Sequence, residues 1–138
     1  MNPAFYATWA PRALALLRIT TAYMFLLHGT AKLFGMPHVP MFDKLQIMSL
    51  SGVAGILEVV GGVLLILGLF TRPTAFILSG EMAFGYFIGH AIPQGWVLAP
   101  MMNRGESAAL FCFIFLYIAA AGPGAWSLDG LRRHNRPS

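Results

Sequence analysis

Charge is scarce in this chain. Asp, Glu, Lys and Arg make up only 10% of its 138 residues, against about a quarter in an ordinary soluble domain. Cysteine is nearly absent. A lone Cys112 excludes an intrachain disulfide and any C-x-x-C redox or zinc chemistry, and it reads as a small apolar packing residue. There is no glycine-rich nucleotide loop, and no serine or cysteine nucleophile has a convincing base nearby. The net charge of +4 is too small to suggest a nucleic-acid partner. What the chain does have is hydrocarbon: 57% of its residues are hydrophobic. These proportions imply an all-α polytopic membrane protein rather than a soluble fold with a large core.

A helix crossing the bilayer needs about 20 mostly apolar residues. Four segments qualify, over about 12–34, 50–70, 74–92 and 105–122, with proline or glycine at their boundaries. They predict a four-helix transmembrane bundle that occupies residues 1–131 as one domain, followed by a basic tail at 132–138. Loop 35–49 has room for a short interfacial helix around 42–48. The first span is too long for a cleavable signal and lacks a preceding basic region, so it reads as retained. Four spans place both termini on one side. Arg12, Arg72, Arg132, Arg133 and Arg136 fall there, against Lys32, Lys44 and Arg104 opposite, which predicts cytoplasmic termini. Tyr6, Trp9 and Trp126 suit the inner interface and Trp96 the outer one.

The few polar residues inside the spans are not scattered. Arg18, Thr21, Phe25, His28 and Lys32 recur on one face of the first helix. In the second, Glu58 lies on a stripe of small residues with Ser51, Ala54, Gly55, Gly61 and Gly62, so it faces protein. Glu81 shares a face of the third helix with Gly85. His90 falls on the opposite stripe, with Ser79 and Tyr86. Counting about 1.5 Å per residue from the cytoplasmic ends puts Arg18 and Glu81 roughly 9–10 Å deep, Glu58 roughly 18 Å, and His28 and His90 roughly 24 Å.

Two expectations follow. Arg18 pairs with Glu81 as a buried ion pair. Glu58, His28 and His90 surround an outward-opening ligand or proton-handling pocket, with Tyr86 and Lys32 nearby and Asn103, Arg104 and Glu106 at the outer mouth. On an ideal helix Glu81 and His90 cannot both face the axis. A distortion near Gly85 and Gly89 would relieve that; otherwise His90 faces a neighbouring helix or the outer loop. Asp129, in "SLDG", reads as turn or cap chemistry.

The sequence resembles the DoxX family of small four-span bacterial membrane proteins over roughly residues 12–131. The resemblance is carried by "LLRITTAYMFLLHGTAKLFG", by "GILEVVGGVLLILGLFTRPTA", by "EMAFGYFIGHAIPQG" and by "PMMNRGESAALFCFIFLYIAAAGPGAWSLDG". It implies a bacterial inner-membrane location. Family members are often labelled oxidoreductases, and relatives are linked to quinone-reducing and oxidative-stress membrane complexes. No catalytic residue comes with the resemblance, so none is assigned.

The leading functional reading is an accessory redox subunit that binds a quinone or similar small molecule in the polar pocket. Histidine is the side chain best suited to proton exchange near neutrality. An alternative is a non-enzymatic anchor or assembly partner for soluble redox or stress enzymes, or a small transporter. The basic tail would then dock a partner or meet anionic lipid. Haem b between His28 and His90, or a metal joined by Glu58, is a lesser alternative on only two histidines, and no metal site is assigned. A purely structural role for the same polar groups, linking helix to helix, is the competing explanation throughout. The bilayer is the one certain partner, and association with itself stays open.

Overall fold

The computed structural model describes residues 2–134, and its regular elements are all helical. Helix α1 runs Pro3–Phe34. Asn2 caps it by accepting the Ala4 N–H at 3.0 Å, and proline opens its first turn. It therefore begins well before the expected residue 12. Pro11 lies inside α1 and removes one backbone bond without ending the helix. Helix α2 runs Leu50–Leu67, capped by the Ser49 hydroxyl, which accepts the Gly52 N–H at 3.2 Å. Helix α3 runs Thr71–Gln94 and passes through a π-helical turn at Phe87–Ala91. That wide turn comes just before Pro93, whose ring would otherwise press on the preceding helical turn. Helix α4 runs Glu106–Ala121, and a short α5 runs Leu128–His134.

The expected spans correspond to α1–α4 with shifted boundaries. The expected interfacial helix at 42–48 does not form. A single 3-10 turn at Pro40–Phe42 stands there, steadied by the His38 ring nitrogen against Asp43 at 2.9 Å. Residues 132–134, expected in a tail, belong to α5. Arg136 lies outside the described residues.

The four long helices are antiparallel neighbours in a ring. α1 packs along α2 and α3 along α4, while α2–α3 and α1–α4 contacts close the ring. Glycine permits the closest approach: a Cβ at Gly29 would stand 2.8 Å from the Val59 nitrogen and 2.9 Å from the Glu58 Cβ. The apolar core contains Ala22, Phe25, Leu65, Ala75, Leu78, Phe111, Phe115 and Ile118. Phe25 and Phe115 meet edge to face with centroids 4.9 Å apart, and Phe111 stacks beside them. Large apolar side chains such as Phe76, Ile77, Phe84 and Phe113 project outward, as a lipid-facing surface requires.

Arg18 does not pair with Glu81. It is fully buried, and its guanidinium donates to five backbone carbonyls. Two end α2: Leu65 O, and Ile66 O at 2.9 Å. Three belong to the segment after α4: Pro123 O at 2.8 Å, Ala125 O at 3.2 Å and Trp126 O at 2.8 Å. A guanidinium has five N–H donors, so all of them are used. The last carbonyls of a helix lack intrahelical partners and carry its negative end, which suits a cation. Gly68, the α2 C-cap at φ 64°, makes room for this: a Cβ there would stand 2.5 Å from the Ser127 Cβ and 3.0 Å from an Arg18 nitrogen.

Two further caps complete this end of the bundle. Arg72 donates to the carbonyls of Ala119, Ala120 and Ala121 at the end of α4. Asp129 accepts the N–H of Phe70 at 3.0 Å and of Thr71 at 2.8 Å, capping α3 from a distant part of the chain. Asp129 therefore caps α3, while the turn of "SLDG" itself is closed by Ser127, whose hydroxyl accepts the Gly130 N–H at 3.1 Å. Partial burial raises the Asp129 pKa, but the Thr71 and Phe70 donors and the Arg132 charge outweigh it and hold the carboxyl below its ordinary range.

Arg18→Met strands five carbonyls and is expected to cost about 3–5 kcal/mol. Arg18→Lys recovers little, because an ammonium has three donors and no planar fork. Thermal unfolding in detergent, followed by circular dichroism, checks both. Because the folded Asp129 carboxyl titrates below the unfolded one, its stabilisation is present above the unfolded value, near pH 4, and fades as pH falls through the lower folded value. The gap in melting temperature between the wild type and Asp129→Asn should be full at pH 7 and close below about pH 4.

Candidate functional site

The α2–α3 register sets the candidate site. Gly61 packs on Leu78, so close that a Cβ at Gly61 would stand 2.8 Å from the leucine methyls. One turn further from the α2–α3 corner, the antiparallel register brings Glu58 opposite Glu81. Each charge lies in the other's field, with Lys32 also acting on both. On α1, Gly29 contacts Glu58 and Val59, and the His28 ring meets Phe111 of α4 edge-on at 5.9 Å. Residues from four helices therefore share one level: His28, Glu58, Glu81 and Phe111.

Lys32, one turn above His28, closes the group. Its ammonium meets Glu58 Oε1 at 2.6 Å. Glu58 is 2% exposed, and its second oxygen, Oε2, has no hydrogen-bond partner. Both carboxylate oxygens of Glu81 are likewise buried without a partner. Three buried acceptor oxygens thus stand free beside one ammonium. The Phe25–Phe111–Phe115 cluster separates this level from the Arg18 end. On the other side, Phe42 of loop 35–49 places its ring 5.8 Å from the Lys32 ammonium.

The other candidates go elsewhere. Tyr86 donates to Val97 O at 2.7 Å and accepts from Asn103 Nδ2 at 3.0 Å. The fully buried Asn103 also donates to Trp96 O at 3.2 Å and accepts the Gly105 N–H at 2.8 Å. His90, on the π-helical turn, has its Nδ1 3.2 Å from Asn103 O. His90 and Tyr86 thus organise loop 95–105, and the histidine faces that loop. His28 does not face the expected pocket: it is exposed, with Nδ1 3.0 Å from Met24 O on its own helix. Arg104 and Glu106 are exposed at the α3–α4 connection. Among the described residues no group of three His, Cys, Asp or Glu side chains could hold a metal ion.

Sequence reasoning placed Glu81 on the wrong level. Glu58 lies nine residues from the end of α2 and Glu81 ten from the start of α3. Taking those ends at Phe70 and Thr74 instead separated the two acids. The short Gly68–Phe70 corner was the available signal, because it ties the two helices into one register. Phe42, Phe111 and Leu78 were not singled out; apolar residues carry no such mark in a chain this rich in them.

Fold and site together define a small α-helical membrane protein with an ionisable cluster in its interior. The chain belongs to the DoxX family, whose model matches residues 13–91. It is similar to a protein of Haemophilus influenzae described only as uncharacterized, 46% identical over 127 residues, covering 88% of this chain and 91% of that one. It is also similar to the inner membrane protein YphA of Escherichia coli, 29% identical over 125 residues, covering 86% of this chain and 89% of the relative. No solved structure matches.

The pairing of Lys32 with Glu58 sets a clear expectation. Lys32→Met alone leaves a buried carboxylate without its cation and should cost about 3–5 kcal/mol, whereas Lys32→Met with Glu58→Leu should cost far less than the two single changes added. A double-mutant cycle on unfolding in detergent reads this.

Proposed function

We propose that this protein is an accessory redox component of the bacterial inner membrane, with cytoplasmic termini, that binds a quinone or similar redox-active ring beside Lys32, Glu58 and Glu81. One observation carries the reading: three buried carboxylate oxygens without partners, next to a single ammonium. Buried polar groups of a native fold are otherwise almost always hydrogen-bonded. Intramembrane acids commonly mark ligand or proton paths.

The chemistry suits a quinone. Two carboxylates facing one ammonium leave the group short of one positive charge, and uptake of a proton restores balance. A protonated carboxyl and the Lys32 ammonium both donate hydrogen bonds, which is what quinone carbonyls accept. Reduction of a quinone to a quinol takes up two electrons and two protons. The cluster, holding one proton at a time and reprotonated from water between the two transfers, would relay both protons, and a redox partner would bring the electrons. The aromatic cluster of Phe25, Phe111 and Phe115 borders this level with apolar ring faces and edges. The inner-membrane relative supports the location.

Titrating a short-chain benzoquinone into purified protein, with tryptophan fluorescence as the readout, tests this. Saturable quenching is expected, weakened about tenfold in Glu81→Leu, which removes one hydrogen-bond donor. Absence of saturation, or equal affinity in Glu81→Leu, refutes the reading.

A further inference from the structure

We propose that the end of the bundle capped by Arg18, Arg72 and Asp129 holds the phosphate headgroup of an anionic lipid between α5 and the α2–α3 corner. The site is remote from the carboxylate cluster and independent of it. A cleft of about 290 Å³ opens there, lined by Phe70, Arg72, Pro123, Asp129, Arg132 and Arg133 among others. Three arginines against one aspartate give these walls a surplus of positive charge.

The charged groups are not equivalent. Arg72 is committed to the α4 carbonyls, and Asp129 to the N–H groups of Phe70 and Thr71. Arg132 and Arg133 have no hydrogen-bonded partner among the described residues. The Arg132 guanidinium lies 5.2 Å from the centroid of the Phe70 ring. The cation–π contact leaves its N–H donors available for an oxyanion. Phe70 is presented at φ 49°, a left-handed conformation uncommon outside glycine, which turns the ring outward, 54% exposed, at the chain reversal.

A second cleft, of about 790 Å³, distinguishes a lipid from a free phosphate. It lies along the end of α2 and α5, lined by Ile66, Leu67, Trp126, Leu128 and Leu131, and Arg133 borders both clefts. A charged recess that adjoins a larger apolar one, with an arginine between them, fits a molecule with an anionic head and a hydrocarbon tail. Free phosphate would leave the apolar cleft without a role. Basic pockets at the cytoplasmic ends of transmembrane helices take lipid headgroups by this chemistry.

The test uses the full-length protein in phosphatidylcholine bicelles, alone or doped with phosphatidylglycerol, and in a third arm with inorganic phosphate. Retention of lipid is read by native mass spectrometry and stabilisation by thermal unfolding. The wild type should retain phosphatidylglycerol and melt higher in its presence, and inorganic phosphate should do neither. Arg132→Gln with Arg133→Gln should weaken phosphatidylglycerol binding about 30-fold, from about fivefold per arginine. Arg133→Gln alone should lose part of that, which keeps the test intact if the double variant folds poorly. Arg12→Gln, at the same end but outside the cleft, should bind as the wild type does. Equal retention by the double or single variants, an equal loss in Arg12→Gln, or equal stabilisation by inorganic phosphate overturns the proposal.

Discussion

The guanidinium of Arg18 ties together parts of the chain that nothing local would join. It sits on α1, closes the end of α2 and gathers the segment after α4, five carbonyls in all. In an apolar surround a carbonyl without a donor is costly, and so is a cation without acceptors. Each resolves the other's deficit. Arg72 does the same for α4, and Asp129 does the converse for α3, accepting the N–H groups that its N-terminus leaves free. Three charged side chains thereby close three helix ends at one face of the bundle.

Closing the ends also sets the register. With α2 stopped at Gly68 and α3 begun at Thr71, the α2–α3 corner has no slack. The small-residue stripe then brings Gly61 onto Leu78, and Glu58 comes level with Glu81. Charge at one end of the bundle thus governs where charge meets in its interior. The phenylalanine cluster between the two levels keeps them apart: the Arg18 guanidinium fully hydrogen-bonded at one, the carboxylates left partly open at the other. A saturated site and an unsaturated one suit different tasks, the first holding helices together and the second able to receive a ligand or proton.

Much of this was legible beforehand. Hydropathy and Pro/Gly punctuation mark the four long helices, and the 3.6-residue repeat puts Glu58 on a packing stripe and Lys32 on the same face of α1 as Arg18. The Arg18–Glu81 pair failed for a definable reason. Depth was counted from composition boundaries, and a shift of about three residues at two helix ends moves a side chain by about one turn. The error lay in assuming that an arginine in a membrane seeks a carboxylate. Backbone carbonyls at a helix end are equally good acceptors, and they leave no trace in the sequence because every residue has one.

Composition and periodicity determine, by themselves, that this is a helical membrane protein and that Arg18, Lys32 and Glu58 lie on inward stripes of α1 and α2; His28, on the same stripe of α1, is exposed. These are properties of single helices, set by a 3.6-residue repeat and the cost of polar groups in lipid. Partner choice is a property of several helices at once. That Arg18 meets carbonyls, that Glu58 meets Lys32 and Glu81, and that His90 and Tyr86 turn to loop 95–105 were decided only by the tertiary register. A one-turn slip leaves every helix face unchanged while giving each buried charge a different neighbour.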